Sequence, residues 1–240
     1  MKALNIVAVG VCGVLYATIG YLTYLGIFCP VIGVVRFWPS VVIPAVFSVL
    51  FGPVVGGLGA SIGIFISDML IHGNALLSLL VGVPANFACF YIIGRLSRKK
   101  IDWKQTRMHI TIGFILLALA MYAAHLHGQL SLDVMRVFLV VFALTYALVM
   151  FIGHRWAKWG SFEVASLLGL AIGSLIIGVG VWGFSQFFIL PTGERYLPLY
   201  ASLLWFLWTF FTEIPFLVVL GPPILEACYK AFPTLRWERK

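Results

Sequence analysis

Long apolar runs recur along this 240-residue chain, with polar and turn-forming residues between them. Most runs hold about 18 to 25 residues, enough for a helix to cross the roughly 30 Å hydrocarbon core of a bilayer. The pattern predicts an all-α, polytopic transmembrane helix bundle of about eight spans in a single domain, residues 1–240. The predicted spans cover residues 4–28, 39–52, 54–71, 77–94, 109–126, 134–153, 163–188 and 199–223.

The second run departs from this pattern because it is short and contains Pro44. A helix of that length reaches only about 20 Å at 1.5 Å per residue. Such a segment is stable at membrane depth only where neighbouring protein or trapped water satisfies its backbone groups. The sequence Phe51-Gly52-Pro53 then predicts a tight turn into a glycine-rich third helix. Irregular backbone at this depth is typical of transporter binding sites.

Composition supports the membrane assignment, since 62% of the residues are hydrophobic and only 10% are charged. The net charge of +8 would suit a nucleic-acid binder, but the basic residues are segregated. A cytoplasmic N-terminus leaves only Arg36, Arg136 and Arg195 outside, which satisfies the positive-inside rule with both termini in the cytoplasm. The basic run from Arg95 to Arg107 is a topology signal or, as a second interpretation, a docking surface for a partner or anionic lipid.

Small residues share one face of the first, third and seventh predicted helices, which allows close approach of helix backbones. For the third and seventh helices, packing within the chain is the simpler interpretation. The first helix places Ala3, Gly10, Gly13 and Ala17 together, and this face suits either internal packing or contact with another subunit. The four cysteines show no CxxC spacing, so we expect small buried hydrophobes rather than a disulfide or a metal site.

Enzyme motifs are absent or misplaced in the sequence. Gly59 to Gly63 read GASIG and match a nucleophile pattern, but they lie within an apolar helix, and no histidine follows His154. The chain contains neither an H-E-x-x-H zinc motif nor a phosphate-binding G-x-x-x-x-G-K-[ST] loop. We therefore expect a non-enzyme without catalytic residues, cofactor or metal, and any ATP hydrolysis must come from another chain.

Carboxylates inside the membrane are the strongest functional signal. Asp68 closes the third helix at its outer end, and Glu213 lies well inside the last helix, where a charge costs several kcal/mol unless it is paired or functional. Trp205, Thr209 and Glu213 follow one face of that helix and would suit an amphiphilic aromatic ligand. The alternative is a structural clamp, with Glu213 bonded to a neighbouring helix or to backbone freed by Pro215.

Residues 37–70, FWPSVVIPAVFSVLFGPVVGGLGASIGIFISDML, resemble the second and third helices of the substrate-binding membrane subunits (S components) of energy-coupling factor (ECF) vitamin transporters. The shared features are the proline-containing helix, the FGP turn and the acidic residue that ends the third helix. The similarity continues through LLVGVPANFACFYIIGRL, residues 79–96, and covers about two-thirds of the chain with the last two spans. Most such subunits have six helices, so residues 108–160 look like an inserted helix pair between residues 1–107 and 161–240.

The resemblance implies capture of a small micronutrient, such as a heteroaromatic vitamin, on the outer side of the plasma membrane. A gating loop near residues 29–39 would cover the ligand. It further implies a membrane coupling subunit with two ATPase subunits as partners, and a coupling face on the first helix. By position, the candidate ligand residues are Arg36, Trp38, Asp68, Asn86, Gln186, Trp205, Thr209 and Glu213. For Asn86, a structural hydrogen bond is an equal alternative to a ligand contact.

Two other classes remain open from the sequence. One is an ion-coupled secondary transporter or channel, in which Asp68 and Glu213 carry protons or cations. The other is a membrane scaffold or lipid-modifying protein. Neither accounts for the short second helix and the FGP turn as simply as the ECF substrate-binding subunit does.

Overall fold

The computed structural model of the chain describes residues 3–25, 31–32, 35–36, 38–100 and 102–235. Within these residues the fold is an all-α bundle with one very short antiparallel strand pair, β1 (Val31–Ile32) and β2 (Val35–Arg36). The helices are α1 (Ala3–Leu25), α2 (Val42–Phe51), α3 (Pro53–Ile71), α4 (Ala75–Leu96), α5 (Trp103–Leu126), α6 (Leu132–Arg155), α7 (Gly160–Phe187) and α8 (Tyr200–Ala231).

The predicted polytopic bundle is confirmed. In the described part of the chain, seven helices are long and apolar enough to cross a membrane, and the eighth is the short segment Pro39–Phe51, in which a 3-10 turn leads into α2. The protein is therefore a multi-pass membrane protein. Most of the predicted gating loop lies outside the described residues, as do the terminal residues 1–2 and 236–240.

The short helix α2 lies in the interior of the bundle, as its length requires. Pro44, Ala45, Ser48 and most of its other residues are buried, and α1, α3, α4 and α8 pack around it. Ser48 donates its hydroxyl proton to the Pro44 carbonyl at 2.7 Å, so this polar side chain is satisfied within the helix. Neighbouring protein thus shields the short segment from lipid, which explains why it can end at membrane depth.

The FGP turn between α2 and α3 depends on Gly52. Its φ of +115° lies in the region that side chains with a Cβ rarely adopt, and Pro53 then begins α3 at the position where a missing N–H costs nothing. The Gly52 N–H donates to the Ser48 carbonyl at 3.1 Å, and the Gly52 carbonyl accepts from Val55 at 3.0 Å. Both backbone polar groups of Gly52 are thus paired where the chain reverses direction.

The helices α1 and α3 pack closely through small residues. A Cβ added at Gly59 would meet Cys12 Sγ at 2.6 Å, and one at Gly63 would meet the Gly13 carbonyl at 2.8 Å. Of the two interpretations of the small-residue face on α1, packing within the chain holds for Gly13 and Ala17, because α3 covers them. These two residues are therefore not open to a partner in the folded chain, and contact of the face with another subunit stays a prediction. The other two residues of that face, Ala3 and Gly10, are exposed.

The helix α7 fits between α4 and α8. A Cβ at Gly169 would meet the Cys89 carbonyl of α4 at 2.6 Å, and one at Gly178 would clash with the Ser202 carbonyl of α8. The small residues of α3 and α7 therefore serve packing within the chain, as their pattern predicted. Gly183 is an exception, since a Cβ there meets nothing.

The pair α5 and α6 lies at the edge of the bundle. In the most apolar segment of each helix, 17% is buried in α5 and 28% in α6, compared with 56% in α7. The pair meets α8 through an aromatic cluster in which Phe114 and Phe142 lie 6.3 and 5.5 Å from the Phe211 ring. The assignment of residues 108–160 as an insertion stays a prediction.

Both ends of the described chain lie on one side of the bundle. Leu4, Phe51 and Leu235 line one groove there. On the same side, the Lys158 ammonium contacts the Glu226 carboxylate at 2.8 Å and joins the start of α7 to the end of α8. Because both ends of the described chain lie on one side of the bundle, the chain between them crosses the membrane an even number of times. That this side is the cytoplasm remains the prediction from charge.

Candidate small-molecule binding site

A cavity lies in the half of the bundle opposite the two chain ends. It leaves about 100 Å³ in which the centre of a water molecule can move, several times the roughly 10–15 Å³ that one water needs. The α1, α3, α4, α7 and α8 helices and Trp38 contribute to its walls. The lining residues are Tyr16, Trp38, Ile64, Asp68, His72, Leu77, Val81, Gly82, Ala85, Asn86, Cys89, Phe90, Leu170, Gly173, Ser174, Ile177, Val181, Thr209 and Glu213.

Three aromatic rings form one wall of the cavity. The Tyr16 ring centre lies 6.2 Å from that of Trp38 and 5.9 Å from that of Phe90, both in edge-to-face arrangements. Trp38 fits because Gly20 on α1 carries no side chain, since a Cβ there would collide with the indole. The geometry fixes the rings against each other, and edge-to-face pairs add about 0.5–1.5 kcal/mol beyond their buried area.

A hydrogen-bonded pair, Tyr16 and Asn86, joins this wall to α4. The Tyr16 hydroxyl donates to Asn86 Oδ1 at 2.7 Å, and Asn86 Nδ2 donates to the Gly82 carbonyl at 2.9 Å. The amide is therefore oriented by the protein itself. Of the two interpretations of Asn86 from sequence, the structural hydrogen bond is present, and the residue also lines the cavity.

Asp68 is held at the outer rim of the cavity. Its Oδ2 accepts from the Ser78 hydroxyl at 2.7 Å, and its Oδ1 lies 3.4 Å from His72 Nε2. Because His72 Nδ1 accepts the Asn74 N–H at 3.1 Å, the imidazole proton of this tautomer sits on Nε2 and faces the carboxylate. Ser78 begins a π-helical turn over Ser78–Gly82, a local widening that is frequent at functional sites. Asp68 thus stabilises the α3–α4 connection.

Three polar side chains in the cavity lack a hydrogen-bond partner among the described residues, those of Glu213, Thr209 and Ser174. Thr209 and Ser174 have buried hydroxyls without a hydrogen-bond partner in the described part of the chain. Glu213 is 7% exposed and forms no hydrogen bond or ion pair with the described residues. Tyr16 and Cys89 line the same cavity as Glu213. Buried polar groups are normally satisfied, so this group of three is positioned to bind something that fills the cavity.

The ionisable side chains that line the cavity are mainly acidic. Among the described lining residues are two carboxylates and one histidine, and no lysine or arginine. The described residues hold no group of three or more His, Cys, Asp or Glu side chains that could bind a metal ion. The cavity therefore offers carboxyl groups, hydroxyls and aromatic rings, and its described lining residues include no lysine or arginine.

Five of the predicted ligand residues line the cavity, namely Trp38, Asp68, Asn86, Thr209 and Glu213. Trp205 does not, because it packs nearer the outer end in a separate cluster with Leu77, Val181 and Phe184.

Gln186 does not line the cavity either. It donates from Nε2 to the Leu197 carbonyl at 2.9 Å and holds the α7–α8 loop in place. The side chain of Arg36 lies outside the described residues, although its backbone forms part of β2.

Sequence reasoning missed Tyr16, Ser174 and Glu163. Tyr16 and Ser174 lie on helix faces that the sequence marks as small and apolar, so only the three-dimensional arrangement reveals their role. Glu163, near the start of α7, does not line the cavity but is completely buried, and neither carboxylate oxygen has a hydrogen-bond partner among the described residues.

Comparison with known proteins identifies no relative of this chain. No family model matches the chain, and searches of curated proteins and of solved structures find no match either. The resemblance of residues 37–96 to ECF substrate-binding subunits therefore remains a prediction from their sequence.

Proposed function

We propose that this protein is the substrate-capturing membrane subunit of an ATP-driven importer of the ECF type in the plasma membrane. It binds a small micronutrient such as a heteroaromatic vitamin in the cavity and catalyses no reaction itself. The observation that carries the proposal is the cavity, in which the buried Thr209 and Ser174 hydroxyls have no hydrogen-bond partner among the described residues. Glu213 lines the same cavity and forms no hydrogen bond or ion pair with the described residues. A cavity in the half of the bundle away from the basic side of the protein suits capture from outside.

The short helix α2 and the FGP turn support the same function. They resemble the corresponding segment of ECF substrate-binding subunits, and α2 lies directly beside the elements that form the cavity. Because the sequence has no phosphate-binding loop, the energy for accumulation comes from partners, a membrane coupling subunit and two ATPase subunits. The exposed part of α1 near Ala3 and Gly10 is open to such a partner.

Uptake into reconstituted vesicles tests the proposal. The small molecule retained by the purified protein, identified by mass spectrometry, supplies the substrate. We expect the chain alone to bind this molecule, and accumulation to require the coupling subunit, both ATPase subunits and ATP. Full accumulation by the chain alone would overturn the proposal.

The second candidate function is an ion-coupled secondary transporter or channel. The specific observation in its favour is Glu213, a carboxylate near the middle of α8 without a hydrogen-bond or ion-pair partner in the described chain. Intramembrane carboxylates of this kind form proton and cation pathways in transporters, and Asp68 would form the outer end of such a pathway. Accumulation driven by a proton or sodium gradient without ATP would select this function.

A further inference from the structure

The cavity contains a carboxyl group, that of Glu213, for which the described lining residues supply no lysine or arginine partner. Asp68 is held by Ser78 and His72, but Glu213 has no cationic neighbour among the described lining residues. A buried carboxylate in a low-dielectric site is costly unless a positive charge or hydrogen-bond donors compensate it. A positively charged ligand in the cavity would provide that compensation and would gain binding free energy from it.

The aromatic wall favours the same kind of ligand. Tyr16, Trp38 and Phe90 all line the space that Glu213 borders, and the Tyr16 ring centre lies 6.2 Å from that of Trp38 and 5.9 Å from that of Phe90. The electron-rich faces of aromatic rings attract organic cations by about 0.5–2 kcal/mol, and proteins use such surfaces to recognise quaternary ammonium groups. A carboxyl group and aromatic rings that line one cavity form a suitable environment for an organic cation.

A bare metal ion fits the cavity less well. Calcium and magnesium require about six oxygen ligands, and the described residues contain no group of three or more candidate metal-ligating side chains. The Thr209 and Ser174 hydroxyls instead offer donors to a polar substituent on an organic molecule.

We propose that the cavity selects small organic cations, with the positive nitrogen beside Glu213 and a flat ring against Tyr16, Trp38 and Phe90. The Thr209 and Ser174 hydroxyls donate hydrogen bonds to an acceptor group on the same ligand. This inference rests on the proposed function, since it names the class of substrate that the capturing subunit takes.

A matched panel of three pyridine compounds tests charge selection directly. 1-Methylnicotinamide is a cation, nicotinamide is neutral and nicotinate is an anion, while their ring and substituent are nearly the same. Affinity for each is measured by calorimetry on the purified full-length chain in detergent. We expect the cation to bind at least about tenfold more tightly than the neutral compound, and the anion to bind most weakly.

Substitutions at two cavity residues, Glu213 and Trp38, assign the selection to the cavity. Glu213→Gln keeps the shape but removes the charge, so we expect the preference for the cation to disappear. Trp38→Leu removes an aromatic face and should weaken cation binding more than it weakens nicotinamide binding, whereas Trp38→Phe retains part of the effect. Glu163→Gln is the matched control, because Glu163 is equally buried but does not line the cavity, and it should leave the preference unchanged.

Several outcomes would overturn the inference. They are equal or tighter binding of nicotinamide or nicotinate, no binding of the cation at about 1 mM, and a cation preference that survives Glu213→Gln in protein with a normal melting curve. These measurements need neither ATP nor a partner. The proposed function, by contrast, fails through uptake that is independent of the coupling subunit, so the two failures are distinguishable.

Discussion

At the scale of single residues, two carboxylates in one cavity have different surroundings. Asp68 accepts a hydrogen bond from Ser78 and faces His72, so its charge is used to hold the start of α4 beside the end of α3. Glu213 lies deeper, on the last helix, and has no such partner in the described chain. The free-energy cost of the unpartnered group is the physical reason to assign it to ligand binding rather than to structure.

Thr209→Val tests whether the cavity is built for binding at the expense of stability. Thr209 is 1% exposed and its hydroxyl has no partner among the described residues. Valine has nearly the same shape, and removal of an unpartnered buried hydroxyl should stabilise the ligand-free protein by about 1 kcal/mol. Affinity for 1-methylnicotinamide should fall at the same time. Thermal unfolding and calorimetry on the same preparation measure the two effects.

Thr145→Val is the matched control for that prediction. Thr145 is also buried, but its hydroxyl donates to the Val141 carbonyl at 2.8 Å and lies far from the cavity on α6. This substitution removes a hydrogen bond that is already made, so it should lower stability by about 1 kcal/mol or less and leave affinity unchanged. A lower melting temperature for Thr209→Val with unchanged affinity would assign Thr209 to packing.

Helix periodicity predicted which residues share a face of α8, but it did not predict which of them line the cavity. Trp205, Thr209 and Glu213 share one face of α8 within about 100°, and two of them line the cavity. Trp205 lies one to two turns nearer the outer end, where Leu77 and Val181 fill the space beside it. Periodicity gives the direction of a side chain but not the neighbour it meets, which is also why Tyr16 and Ser174 were missed.

At the scale of elements, glycine and proline made the helix boundaries predictable. The expected spans 39–52 and 54–71 correspond to Pro39–Phe51 and Pro53–Ile71, because a residue that needs positive φ separates them. The π-helical turn at Ser78–Gly82 was not predictable, since no local sequence rule distinguishes it from α-helix. It depends on tertiary contacts, among them the hydrogen bond from Ser78 to Asp68.

Gly52→Ala tests the turn that ends α2 inside the bundle. At φ +115° a Cβ is strained whatever space surrounds it, so we expect the free energy of unfolding to fall by about 1–3 kcal/mol. Gly183→Ala is the control, since it lies within helix α7 with nothing near its Cβ position, and it should be neutral or stabilising by up to about 1 kcal/mol. Melting temperatures in detergent compare the two, and equal stability would mean that the turn relaxes.

At the scale of the whole molecule, the two sides of the bundle differ in chemistry. One side holds both ends of the described chain, the Lys158–Glu226 ion pair and most of the basic residues. The cavity lies in the opposite half and contains the Asp68 and Glu213 carboxyl groups. The positive-inside rule predicts that the basic side is cytoplasmic, and the cavity would then lie in the outer half, as the proposed capturing subunit requires.

Cysteine labelling on intact cells tests this orientation. Gln129 and Thr192 are exposed in the α5–α6 and α7–α8 connections, whereas Lys100 and Arg155 are exposed at the opposite side. Single cysteines replace each residue in a Cys29→Ser background, which removes the native cysteine expected outside. A membrane-impermeant maleimide should label positions 129 and 192 and reach positions 100 and 155 only after the cells are opened. The reverse pattern would place the cavity toward the cytoplasm, and capture from outside would then be impossible in this conformation.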